Sequence, residues 1–173
     1  IKLKATRLAQ QTQPALETAR MLAKHKAFSP AAAGSLLRGL LLEQIRSSYD
    51  PAQLLAAWSH TEPRERQMPE LAIPAARKLV ALGGDSATAC NWLLPVWEEQ
   101  LRNPQAMNSA QSTRLVLALQ ECLDGVDSEW LGRIENALKA APHNPRLQYL
   151  AGMACLQRQL WGKAEQLLRQ STQ

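Results

Sequence analysis

Apolar residues recur at every third or fourth position through most of this chain, with polar residues between them. Leu16, Ala19, Leu22 and Ala23 form one such stripe, and Leu54, Leu55 and Trp58 a shorter one. This is the period of helices that bury one side, and no segment shows the alternation of a strand. The pattern therefore predicts an all-α protein. A first helix is expected over about Leu3 to Gln11, and Pro14 opens a second that ends near Lys26. Ser29-Pro30 pairs an N-cap with a proline in the first helical position, starting a helix to about Ser48, and Asp50-Pro51 repeats the device. His60 to Met68 is polar and reads as a loop. Pro69 begins a helix to about Leu82, which the internal Pro74 is expected to delay or bend. Gly83 suits the left-handed turn that ends a helix, and Asp85 to Arg102 forms the next one, again with an internal proline, Pro95. Asn103 to Asn108 is loop, and helices then follow over Ser109–Asp124, Asp127–Ala141, Pro145–Arg158 and Trp161–Thr172.

The last of these helices come in pairs with a spacing close to 34 residues. With Pro145 as position 1, Gly152 falls on position 8, Ala164 on 20, Leu168 on 24 and Ser171 on 27. Small or apolar residues at those places let two antiparallel helices touch, and Gly152 is expected against Ala164. Counting back from Pro142 as position 32 puts Ala118, Gly125 and Ala137 on positions 8, 15 and 27. Ala76, Gly83, Ala89, Leu93 and Val96 follow the same scheme, with one residue of slack at Gly83-Gly84. The chain thus resembles a tetratricopeptide array. Each unit cannot bury its apolar face alone, so about five hairpins stacked in one solenoid over residues 1–173 are expected.

Composition sharpens this in three ways. The chain of 173 residues is 46% hydrophobic but only 5% aromatic, which suits packed helices, and no apolar run is long enough for a membrane span. Its net charge of +5 is uneven: residues 1–40 hold seven basic residues (Lys2, Lys4, Arg7, Arg20, Lys24, Lys26, Arg38) against Glu17 alone. A polyanion or anionic-membrane surface is one reading of that segment and a solvated helix face the other. The lack of interleaved aromatic residues favours the second. The three cysteines, Cys90, Cys122 and Cys155, stand singly inside apolar helical stretches, without metal-ligand spacing. They are expected to be buried free thiols, which fits a reducing compartment.

Two stretches carry a closer likeness. Leu160-Trp161-Gly162-Lys163-Ala164, preceded by Arg133-Ile134-Glu135 with Ala137 and by Pro142 and Pro145, resembles the HemY protein of proteobacteria. So does Lys24-His25-Lys26-Ala27-Phe28-Ser29-Pro30-Ala31 with Trp58 beyond it. The order of elements agrees over essentially the whole chain. The resemblance implies a tetratricopeptide region that follows an N-terminal membrane region, held on the cytoplasmic side of the bacterial inner membrane. It also implies a part in a late stage of haem (porphyrin) biosynthesis. On this reading the chain is a fragment of a longer membrane-anchored protein. It acts as a non-catalytic scaffold whose partners are haem-biosynthesis enzymes, with no nucleic acid and no cofactor of its own. The flavin enzyme that shares the name is a different protein, and Gly83-Gly84-Asp85 is a helix turn rather than a dinucleotide fingerprint. An unrelated adaptor in envelope assembly, or a polyanion binder acting through residues 1–40, are the alternatives.

Tetratricopeptide arrays hold ligands on the concave side, and the resemblance implies contacts at positions 2, 5, 9, 12 and 13 of each first helix. In the last unit these are Arg146, Tyr149, Met153, Leu156 and Gln157; in the preceding unit they are Ser112, Leu115, Leu119, Cys122 and Leu123. Such a groove is apolar with one positive edge and suits an amphipathic helix or an extended apolar peptide. The leucines serve equally well as plain core. His25, His60 and His143 read as capping or exposed side chains rather than haem ligands. Glu98-Glu99 and the pair Glu62 and Glu65 read as exposed surface charge, with no facing nucleophile or base. The tryptophans are expected to pack between helices. Trp92 and Trp97, five residues apart, cannot both face the core.

Overall fold

The computed structural model describes residues 13–21, 24 and 29–172, and all regular structure among them is helical. Residues 13–21 form α1. The rest of the order is α2 (Pro30–Ser47), α3 (Pro51–Ser59), the single turn α4 (Pro63–Arg66), α5 (Pro69–Ala81) and α6 (Ser86–Arg102). Then come α7 (Ser109–Glu121), a 3-10 turn (Leu123–Gly125), α8 (Ser128–Ala140), α9 (Pro145–Gln157) and α10 (Trp161–Ser171). The helix expected at Leu3–Gln11, His25 and most of the Lys24–Ala31 stretch lie outside the described residues, as does the side chain of Trp161.

The starts of the helices follow from short polar side chains. Ser29, Asp50, Asp85, Asn108, Asp127 and Asn144 each accept a hydrogen bond from a backbone N–H in the following first turn, at 2.7–3.3 Å. Each such cap is worth about 1 kcal/mol. Gly83 sits at φ 78°, where the Gly84 and Gly83 amides bond back to the Leu79 and Val80 carbonyls and close α5. Pro74 neither delays nor ends α5, which runs from Pro69. Proline has no N–H to give the Glu70 carbonyl, and Glu70 and Pro74 both line an open cleft.

Neighbouring helices pack in sequence along the chain, as in a helical repeat solenoid. α5 packs closely on α6 and α9 on α10, while α2, α5, α7 and α9 form a continuous inner row. One fully buried hydrophobic core runs through all the units, including Leu54, Leu71, Leu79, Leu93, Leu115, Leu119, Ile134 and Leu150. α8 lies closest to α9, the opening helix of the next unit, and the pair α7–α8 is spaced more widely than α5–α6 or α9–α10. The 3-10 turn between α7 and α8 accounts for this. It packs on α6, and a Cβ on Gly125 would stand 2.3 Å from the Ser86–Ala87 peptide.

Two expectations are corrected. Residues 60–68 are not all loop: Glu62 and Glu65 make a capping box that nucleates α4. Glu65 is not exposed surface charge. It is buried and takes a two-pronged hydrogen bond from Arg20 of α1, at 2.8 and 3.3 Å, which ties α1 to α4. Gly152 is buried, and the space its Cβ would take is bounded by Leu168, one helical turn beyond Ala164, whose side chain would lie 2.7 Å away. The four tryptophans whose side chains are described behave as expected: Trp97 is buried edge-on to Trp130 at 6.1 Å, and the half-buried Trp92 stacks on Trp58 at 5.0 Å.

Candidate functional site

The inner row supplies the candidate site. α5, α7 and α9 are each 13 residues long, and each opens directly after its N-cap position, Met68, Asn108 and Asn144. Aligned on those caps, positions 7 and 11 are Ala75 and Leu79, Leu115 and Leu119, and Ala151 and Cys155. All six are fully buried. Asn108 and Asn144 are 36 residues apart, two more than the 34-residue repeat allows, because the 3-10 turn lengthens this unit.

That shift decides the fate of several predicted contacts. Leu115, Leu119 and Cys122 are completely buried and Leu123 nearly so, hence they are core and present nothing to a partner. Ser112 turns toward α6, where its hydroxyl accepts from Gln100 at 2.9 Å. In the corrected register α7 offers Ala110, Thr113, Leu117, Gln120 and Glu121 instead, and none of these is buried. On α9, Arg146 and Gln157 are exposed, Tyr149 is half-buried, and Met153 and Leu156 are half-buried against the core. Arg146 and Tyr149 share a cleft of about 340 Å³ with Thr113, Val116 and Leu117.

The principal cleft lies one unit earlier. It has a volume of about 1040 Å³ and is walled by α2, α5 and α7. Ile45 and Ile73, both buried, form its floor with Leu42, Pro69, Pro74 and Val80. Its rim carries Arg46, Arg77, Lys78 and Arg114 against Glu70 and Glu121. Arg77 and Glu121 hold each other from α5 to α7 by two hydrogen bonds of 2.8 Å, and this carboxylate raises the Arg77 pKa further. Gln111 donates to Glu70 at 3.2 Å between the same two helices. Among the described residues no carboxylate lies within ion-pair distance of Arg46, Lys78 or Arg114. The cleft therefore combines a greasy floor with unneutralised positive charge at its edge.

Sequence reasoning had the means to find this cleft. Positions 2, 5, 9, 12 and 13 of α5 are Glu70, Ile73, Arg77, Val80 and Ala81, and every one of them lines it. The same ladder of polar contacts continues along the inner row, with Arg146 donating to Ser109 at 2.8 Å and Gln157 to Asp124 at 2.6 Å.

Other chemistry is sparse. Among the described residues no group of three or more His, Cys, Asp or Glu side chains is placed to hold a metal ion. His60 and His143 are exposed. No helix among those residues is long and apolar enough to cross a membrane. The three cysteines are buried, but two of them are not isolated: Cys90 and Cys122 meet, sulfur to sulfur, at 2.9 Å. Comparisons with protein-family models, with curated proteins and with solved structures returned no match to this chain.

Proposed function

We propose that this chain is a non-catalytic protein-interaction scaffold, and that the cleft between α2, α5 and α7 receives an amphipathic helix or an extended apolar segment of a partner protein. The observation that carries the reading is the join of an apolar floor (Ile45, Ile73, Val80) to a basic rim (Arg46, Lys78, Arg114) in one groove about 1040 Å³ in volume. Apolar floors supply affinity by excluding water, and rim charges select and steer the partner. A guest with an apolar ridge and acidic flanks meets both demands. No cofactor enters this role.

The HemY-like motifs extend the proposal to biology. They support a scaffold at the cytoplasmic face of the bacterial inner membrane, held there by a region outside this chain, with late haem-biosynthesis enzymes as its partners. Affinity capture of the full-length protein from its native membrane tests this. Recovery of terminal haem-pathway enzymes supports it, and their steady absence defeats that part alone. The groove is tested separately by the triple reversal Arg46→Glu, Lys78→Glu and Arg114→Glu. Arg46 and Arg114 are exposed and Lys78 is half-buried; surface substitutions of this kind shift stability by about 0.5 kcal/mol or less each, so the variant stays folded. Its partner recovery should fall at least tenfold, and undiminished recovery would rule the groove out.

A further inference from the structure

We infer that Cys90 and Cys122 are a disulfide-forming pair, a covalent modification site joining α6 to the C-terminal cap of α7. Their sulfurs stand 2.9 Å apart, and both residues are fully buried. The Cys90 thiol also reaches the Cys122 carbonyl at 3.1 Å, and the Cys122 thiol faces the Leu119 carbonyl at 3.5 Å. Both side chains are thus aimed at one point by the helices that carry them. The contact of α6 with the 3-10 turn, closed tightly at Gly125, holds the two backbones in place. The bridged state itself needs a change only within the two side chains and no lasting rearrangement of the helices.

The oxidant is a low-molecular-weight disulfide of the glutathione class. Cys122 ends α7, and helix ends open locally far more often than helix interiors. That opening is required, because the hydrogen bond with Cys90 and burial raise the Cys122 pKa and keep its thiol protonated in the closed fold. Once exposed, the Cys122 thiolate attacks one sulfur of the small disulfide and releases one small thiol. On closing, Cys90 as thiolate attacks the Cys122 sulfur of the mixed disulfide and expels the second small thiol. Two protein thiols have lost two electrons and two protons, and the oxidant has become two thiols. The expectation of inert buried cysteines then holds for Cys155 alone.

The bond would act on the groove, since Glu121, which grips Arg77 from across it, is the residue before Cys122. The inference does not depend on the proposed partner. It is tested by incubating the reduced chain, natively folded, in glutathione buffers of increasing oxidised fraction, then denaturing, alkylating and digesting it. The expected product carries one alkylated thiol, at Cys155, and a linked peptide joining residues 90 and 122. A bridge closing the 32-residue separation should raise the melting temperature by about 10 °C. Three alkylated thiols at every oxidised fraction, a bridge made only in urea, or a bridge involving Cys155 would each overturn the assignment. The linked peptide is read on the unmodified sequence, so no destabilised variant enters the result.

Discussion

Gly125 and Gly152 show how two residues of one type can carry different loads. At Gly125 an added methyl would meet the Ser86–Ala87 backbone at 2.3 Å, and two main chains have to part to admit it. At Gly152 the same methyl meets the flexible end of Leu168 at 2.7 Å, with the Leu168 amide at 3.3 Å. Part of that cost is returned, because alanine is better than glycine inside a helix by about 1 kcal/mol. Gly125→Ala should therefore cost about 3 kcal/mol and Gly152→Ala about 1 kcal/mol. Denaturant titration of the two variants reads the difference, and the reverse order would discredit the packing described at the 3-10 turn. The need for a small residue at both places was legible from repeat spacing. Which atoms impose it was not, since the identity of a neighbour depends on how far each helix is rotated. Leu115 and Leu119 make the same point: their spacing suits a groove or a core equally well, and a two-residue lengthening of the unit turned them inward.

Among the elements, the helix starts were the most legible feature, because a cap is a local bargain between one side chain and the next turn of backbone. Asp85 takes the Thr88 amide at 2.9 Å and its hydroxyl at 2.7 Å, and these bonds lower its pKa below the ordinary 3.8. A carboxyl whose pKa is depressed by folding stabilises the fold above its unfolded pKa, and that help disappears as pH falls through the folded value. Asp85→Ala should thus melt below the wild type at neutral pH, with a gap that closes as the pH drops beneath 3.8. Melting curves of the pair across pH provide the check, and a gap that stayed constant down to the lowest pH would show that ionisation of Asp85 plays no part. The turn α4 was missed for a related reason. Its capping box was present in the letters as Glu62 and Glu65, but their charge and the proline between them favoured a loop reading. The decisive partner, Arg20, lies 45 residues earlier.

Across the whole molecule, stability is distributed along a row of neighbours rather than gathered at one centre. In such arrays each unit is held by its own packing and by the units beside it, so damage stays local. Leu150, fully buried in α9, anchors the final hairpin against the rest. Leu150→Ala should cost about 2–5 kcal/mol. Native-state hydrogen exchange should then show protection failing first in α9 and α10 while α5 and α6 keep theirs. Uniform loss of protection along the chain would mean that the units do not melt separately. The groove obeys the same geometry in reverse, for its walls come from three helices of which no two are consecutive in the chain.

Helix content, the helix starts other than that of α4, the left-handed turn at Gly83 and the stacking of units were determined by the letters alone. Each rests on period, propensity or capping within a few residues. The meeting of Cys90 with Cys122, the burial of Glu65 against Arg20 and the placing of the main cleft between α2, α5 and α7 were decided only by the packed chain. Those features join residues tens of positions apart. Their juxtaposition depends on the rotation and spacing of whole helices, which a single 3-10 turn was enough to reset.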